Sequence, residues 1–308
     1  MAAALPESHH GTNETDRTSV RNILLPLDGS DLARVAIPVA LGLAQLYQAA
    51  LHVIYAGKEQ VAPETKLSQL GVRWEELPGA VIHQAAGSPP EAILSLAQTL
   101  PRPLIVMCTH TRGTSKADRE ADRFGSVTEE LLTKNPERIV LVAPEHRRAT
   151  FQISKILVAH DGTSAADCAI APAAELAARA HANVITVHVA APGEKAPAEP
   201  GSIPAPQYID QPQHEWPSWA AEFSARMAVG VPTSALKFKL IVKGGQAGSE
   251  IALLAKRQEA DLVIMGNPAN WKHSPRSLTR GVVLTSGCPV LLICPQLPSA
   301  TNQPRERI

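Results

Sequence analysis

Net charge is the first thing this sequence lacks. Its 29 lysines and arginines balance its 29 aspartates and glutamates, so no overall field draws the chain toward nucleic acid or an anionic membrane. Cysteine is scarce: Cys108, Cys168, Cys288 and Cys294 lie in or beside apolar segments. That placement suits buried thiols in a reducing compartment better than a disulfide framework. No apolar run approaches the roughly 18 residues of a membrane span. The opening "MAAALPESHHGTNETDRTS" has neither the basic start nor the apolar core of a secretory signal and reads as a polar tail. A soluble, cytoplasmic protein is expected, with neither nucleic acid nor membrane as a partner.

Several catalytic signatures are missing too. There is no G-x-x-x-x-G-K-[S/T] and no G-x-G-x-x-G after a strand, so neither a P-loop ATPase nor a dinucleotide fingerprint is present. No G-x-S-x-G elbow supports a hydrolase. Cys108-x-His110 and the pair Cys288 and Cys294 lack paired zinc-ligand spacing.

What is present is repetition. "PLDGS" at 26–30 returns as "AHDGT" at 159–163, each after an apolar run, so Asp28 and Asp161 stand 133 positions apart. His52 in "ALHVIYA" and His188 in "TVHVAA" stand 136 apart. Met107 in "LIVMCTH" and Met265 in "LVIMGNP" stand 158 apart, and Pro144 and Pro295, closing "IVLVAP" and "VLLICP", 151 apart. One order of landmarks read twice marks two folding units in tandem. We divide the chain into a tail at 1–19, a first domain at 20–148, a second at 149–297 and a tail at 298–308. The jump from 136 to 158 places an insertion in the second copy, 191–217, rich in proline and therefore extended. Trp216 within it and Trp219 just after it are expected to anchor that excursion to its own domain.

Short runs of Val, Ile and Leu alternate with amphipathic stretches in both copies. The first has expected strands at 21–27, 50–55, 80–85, 103–108 and 138–143, and helices at 31–48, 65–71, 89–99 and 125–134. The second has strands at 154–160, 183–190, 236–243, 261–265 and 289–294, and helices at 165–181, 215–228, 246–258 and 277–286. Strands apolar on both faces and separated by helices imply an α/β fold: two flavodoxin-like, Rossmann-like units, each a five-stranded parallel sheet with helices on both faces. Such sheets bind ligands outside the carboxyl ends of their strands, where strand order reverses. Asp28 stands at that rim. As a strand-end carboxylate it suits a ribose hydroxyl or a metal-bound phosphate; with Ser30 it equally suits the start of a helix. Gly125-Ser126-Val127-Thr128 opens a helix after the fourth strand, an arrangement that offers unpaired amides to an anion, with Arg112 or Lys116 at hand. Capping alone explains it too. His52 and His188 are expected to be core histidines.

Together these pieces resemble the universal stress protein domain over roughly 20–146 and 152–296: an aspartate closing strand one, "HV" in strand two, "DLVIMG" in strand four, a Gly-Ser helix start and a "CPVLLICP"-type last strand. Nucleotide-binding members of that family carry G-x-x-G-x9-G-[S/T] after strand four. The resemblance implies ATP or another adenine nucleotide, with Mg2+, in the first copy. Its contacts would be Pro26, Asp28, Ser30, Val53, Met107, Thr109, Arg112, Gly113, Gly125, Ser126, Val127 and Thr128, and Asp28 would meet the metal. Cys108 and Thr111 stand where the first two glycines usually fall, and a Cβ there crowds a phosphate. In the second copy Gly281-Val282 is taken as the counterpart of Gly125-Ser126, which costs a hydroxyl and predicts weak nucleotide binding. The resemblance implies a sensor or regulator in the stress response, and without a general base any ATP hydrolysis would be slow. The rival expectation is a nucleotide-free module, its copies pairing within the chain and chains pairing as homodimers through the "IVLVAP" and "VLLICP" edges.

Overall fold

A computed structural model describes residues 19–57, 60–110, 123–163, 165–190, 225, 238–267 and 276–294. Both tails (Ser19 apart), the 191–217 insertion with Trp216, Trp219 after it and all but one residue of the expected 215–228 helix lie outside them. The first copy contributes β1 (Asn22–Pro26), α1 (Asp31–Arg34), α2 (Ile37–Tyr47), β2 (Ala50–Ala56) and α3 (Pro63–Gln69). It continues with β3 (Val81–Ala85), α4 (Pro89–Thr99), β4 (Pro103–Cys108), α5 (Ser126–Lys134) and β5 (Arg138–Val142). The second contributes β6 (Lys155–Ala159), α6 (Ile170–Ala180), β7 (Asn183–Ala190), β8 (Phe238–Gly244), α7 (Ala247–Arg257), β9 (Leu262–Gly266), α8 (Arg276–Thr285) and β10 (Val290–Ile293). No described helix is long and apolar enough to cross a membrane.

The helix expected over 31–48 is two helices. Pro38 sits in the first turn of α2, where its missing N–H costs nothing. Inside a continuous helix it would leave the carbonyl of Arg34 unbonded and press its ring against it. The second copy repeats the break, with a 3₁₀ turn at Ala166–Ala169 leading into α6.

Within each copy the five strands run parallel, in the order β3-β2-β1-β4-β5 and its mirror β10-β9-β6-β7-β8. The copies then join into one ten-stranded sheet through an antiparallel pairing of β5 with β10, Leu141 opposite Val290 and Ile139 opposite Leu292. This corrects one expectation. "IVLVAP" and "VLLICP" are not edges open to another chain, because each already fills the other's hydrogen-bonding side. Among the described residues, the outermost strands are β3 and β8.

Register corrects two further equivalences. Asn22–Pro26 lie opposite Ala50–Ile54, and Lys155–Ala159 opposite Asn183–Val187, so the offset of 133 persists through the second strand. His52 therefore corresponds to Ile185, and His188 occupies the place of Tyr55; the two "HV" phrases are three positions out of step. Later, Val140 lies opposite Val106 and Leu291 opposite Ile264, an offset of 151 between the last strands. Carried back into the preceding helices, that offset matches buried Leu131 and Leu132 to buried Val282 and Val283, and buried Thr128 to buried Thr279. Gly281 thus lies inside α8, and Val282 is a core residue. The counterpart of Ser126 is Ser277, so the second helix start keeps its serine.

Successive strand residues point to opposite faces. Leu25 and Val53 join Leu43, Val158, Leu176 and Ile264 in one apolar layer; Leu24 and Ile105 join Leu131, Leu157, Val263 and Val282 in the other. Each layer draws on both copies. On the first, α2 meets α6, and the Arg179 guanidinium sits 5.3 Å from the Tyr47 ring centroid. Arg179 also donates to Ser19 Oγ, at 3.0 Å.

Candidate functional site

At the end of β1 the chain turns through Asp28-Gly29-Ser30. The Ser30 N–H and hydroxyl both donate to Asp28 Oδ1, at 2.9 and 2.6 Å, and Ser30 Oγ accepts from the Ala33 N–H at 3.2 Å. Asp28 therefore builds an Asx turn and Ser30 is the cap of α1. Gly29 takes φ +80, with Leu70 against the position of a Cβ. The second copy repeats the device atom for atom: the Thr163 N–H and hydroxyl donate to Asp161 Oδ1 at 2.9 and 2.6 Å, and Thr163 Oγ1 accepts from the Ala166 N–H at 3.3 Å. Local capping chemistry thus explains the repeated phrase, and the turn holds each carboxylate at the sheet's rim.

Between β1 and β4, where strand order reverses, a cavity of about 300 Å³ opens at the carboxyl ends of the strands. That size lies at the lower end of the ~300–1,000 Å³ usual for small-molecule sites. Of the residues expected from sequence, Pro26, Asp28, Met107, Ser126 and Val127 line it. Cys108, which the family pattern puts near the phosphate, lines it as well, and Ile54, Tyr55, Pro89, Ile93 and His110 line it without having been expected. Alternation along β2 explains the first omission. Val53 belongs to the apolar layer on the far face of the sheet and Ile54 to the near one, so the side chain beside the cavity is one residue further on. Ile93 falls on the cavity side of α4, a face readable only once that helix is docked.

Ser126 is the first residue of α5, and Gly125 before it is extended, φ −63 and ψ 155. This start is pinned to the end of β4. The Gly125 N–H donates to the Thr109 carbonyl at 2.8 Å. The fully buried Thr128 hydroxyl donates to the carbonyls of Thr109 and Cys108, at 3.2 and 3.4 Å. Gly125 and Thr128 are thus committed to positioning the helix, while the next amides of the first turn have no intrahelical acceptor. Ser126 and Val127 line the cavity at this helix start, the end of a helix where the dipole favours negative charge. Thr111, Arg112, Gly113 and Lys116 lie outside the described residues. Burial pushes the Cys108 thiol up to about 12, so Cys108 adds no charge to the cavity.

The second copy has a corresponding cavity of about 240 Å³, lined by Asp161, Thr163, Val187, Met265, Leu278 and Thr279 among others. Two contacts reshape it. His160, where the first copy has Leu27, engages Asp167 Oδ1 through Nε2 at 3.1 Å and accepts the Gly162 N–H on Nδ1 at 3.0 Å. Burial lowers its pKa despite the carboxylate, which keeps the ring neutral. The starts of α7 and α8 also approach closely: a Cβ on Gly248 would stand 3.4 Å from the Leu278 carbonyl oxygen.

His52 forms a separate buried network. Asn22 Nδ2 donates to the Pro101 carbonyl, so its Oδ1 accepts from His52 Nε2, and His52 Nδ1 accepts from His83 Nε2, both at 2.9 Å. Both imidazoles have lowered pKa values through burial. Among the described residues, no three His, Cys, Asp or Glu side chains gather in a way that holds a metal.

The model of the universal stress protein family matches residues 19–143 and 152–293. No curated protein matches this sequence. Among solved structures, a functionally unknown protein from Pseudomonas aeruginosa PAO1 is similar, at 18% identity and TM-score 0.64, over 92% of this chain and 95% of that one. A putative universal stress protein from Pseudomonas aeruginosa UCBPP-PA14 gives 18% and 0.62 over 90% and 94%. A universal stress protein from Archaeoglobus fulgidus DSM 4304 gives 15% and 0.56 over 90% and 97%. At such identities these likenesses speak to the tandem fold alone.

Proposed function

The chain belongs to the universal stress protein family, and from that premise we propose that its first copy binds an adenine nucleotide, ATP with Mg2+, as a nucleotide-dependent regulator in the stress response rather than as a fast enzyme. One observation carries this reading: a largely apolar slot at the topological switch point ends on the first turn of α5. Ile54, Ile93 and Met107 offer a base the flat apolar contact it needs, and the backbone of Val53 lies one residue from Ile54. Ser126 and the following amides offer phosphate the hydrogen bonds and dipole of a helix start. Asp28, held at the rim by the turn with Ser30, would meet ribose or a metal that also takes phosphate oxygens, the usual manner of Mg2+. The second copy is the poorer nucleotide site. Its cavity is smaller, and the close approach of α8 to α7 narrows the phosphate end. All four cysteines are free, which fits a cytoplasmic setting.

Calorimetry with ATP and Mg2+ tests the assignment. A hydrogen bond to a charged group contributes about 1.5–3 kcal/mol, so Ser126→Ala should weaken binding by roughly tenfold to a hundredfold. Asp28→Ala should weaken it as well, and unchanged affinity in both variants refutes the site. A second reading, a nucleotide-free interaction module that also pairs as a homodimer, draws on the commitments of Asp28 Oδ1 to Ser30 and of the Gly125 amide to Thr109. Mass spectrometry of the protein as purified separates the two: a retained nucleotide supports the first reading, and a ligand-free protein that does not titrate with ATP supports the second.

A further inference from the structure

We propose that Arg280, a residue of the second copy, sets the charge at the phosphate end of the first-copy site by neutralising Glu129, an inference that rests on the nucleotide reading above. The offset of 151 that matches Thr128 to Thr279 also matches Glu129 to Arg280. These equivalent positions meet where α5 and α8 flank the β5–β10 joint: Arg280 Nη2 donates to Glu129 Oε1. The same guanidinium stands 5.5 Å from the centroid of the Phe124 ring, and Phe124 directly precedes the Gly125-Ser126 start. Arg280 therefore touches the first copy on both sides of its anion-seeking turn. The two side chains are 21% and 27% exposed, so each charge is partly removed from water and its field is less screened than at a free surface.

Glu129 needs that partner for an electrostatic reason. It lies three residues after Ser126, on the same helix face one turn along, about 5 Å further down the axis. A bare carboxylate there opposes the anion that the helix start attracts, and the opposition grows with the number of phosphate charges. Arg280 cancels it. Because the partner sits at the equivalent position of the other copy, the cancellation depends on the two copies being different. A symmetric pair of first copies would set Glu129 against Glu129. Unlike halves fused in one chain supply one acid and one base.

Calorimetry on the full chain, with ATP and with AMP, each with Mg2+, at about 50 mM and about 500 mM salt, tests this. Arg280→Gln is expected to weaken ATP binding roughly three- to tenfold at low salt, to weaken AMP binding less, and to lose most of its effect at high salt. Arg280→Lys keeps most of the ATP affinity. The double variant Glu129→Gln with Arg280→Gln restores ATP binding to at least the native value, because the unpaired carboxylate is gone. Equal losses for ATP and AMP that persist in high salt and in the double variant would show a role in folding alone and overturn the proposal. Native affinity in Arg280→Gln overturns it as well while leaving the nucleotide site standing. A native chain that binds neither nucleotide overturns that reading and this inference with it.

Discussion

The two halves of the chain share a skeleton and differ at the points where one copy must serve the other. Through β1, α2 and β2, and their counterparts β6, α6 and β7, a single offset holds and the Asx turn is reproduced to a tenth of an ångström. The differences are single side chains set on that skeleton. Glu175 stands in α6 where α2 has Gly42, Arg280 where α5 has Glu129, His160 where β1 runs into Leu27. The first two sit at the meeting of the copies and the third beside the second cavity. Fusing two homologous units thus frees each to abandon self-complementarity at the joint, since neither has to match a copy of itself.

The strongest way to break that comparison is to attack the joint. Leu141 and Leu292 are both fully buried, in β5 and β10. Either one replaced by Ala should cost about 2–5 kcal/mol, read by denaturant unfolding with circular dichroism. Because the apolar layers span both copies, each variant should still unfold in one transition. Two separated transitions in the native chain would show that the halves are energetically independent.

Gly42→Ala comes next. The segment between the copies crosses α2 there, and a Cβ would stand 2.5 Å from the Phe151 carbonyl oxygen. Helix propensity favours Ala by up to about 1 kcal/mol, yet backbone cannot yield as a side chain does, so a net loss of about 1–3 kcal/mol is expected. A stabilised variant would mean that the segment has room to move.

The repeated turn sharpens the likeness of the halves. Ser30→Ala and Thr163→Ala should each cost about 0.5–2 kcal/mol through the lost cap, and by similar amounts. A large inequality in thermal melts would show that one turn does work the other does not.

The smallest effect is on pH. Burial lowers the pKa values of His52, His83, His146 and His160 below 6.5. The unfolded chain then binds protons that the folded chain refuses. The stability these groups contribute is complete above about pH 6.5 and declines as pH falls through their lowered folded values. Unfolding titrations between pH 7.5 and 5 should show that decline. His83→Gln, whose amide can still donate to His52 Nδ1, should flatten it slightly. An unchanged slope would argue that the His52–His83 pair does not titrate in this range.

Most of the skeleton was legible because it is written locally. Runs such as Leu104–Met107 are apolar at every position, which in a strand implies burial on both faces. Asp-Gly-Ser and Gly-Ser-Val-Thr announce helix starts by their own chemistry. Apart from the helix break at Pro38, which is local, the errors come from the absence of register from a linear string. "HV" recurs, yet only strand pairing shows that His188 stands where Tyr55 does. Gly281 is a glycine before an apolar residue, yet only the burial of Val282 in the same apolar layer as Val263 and Leu292 shows that it sits inside a helix. In the candidate site Ser126 and Met107 could be named from motif alone. Ile54 and Ile93 depended on which face of a strand or helix turns toward the cavity.

By itself, then, the sequence determined two α/β units, where their strands and helices fall, and the capped turns at the rim, since propensity, periodicity and capping act over a few neighbours. Tertiary structure alone decided that β5 and β10 seal against each other, that Thr128 ties a helix to a strand end, and that Glu129 meets Arg280. Those contacts join residues more than a hundred positions apart or on separate elements. No local preference encodes them; they arise only when two buried faces close on each other.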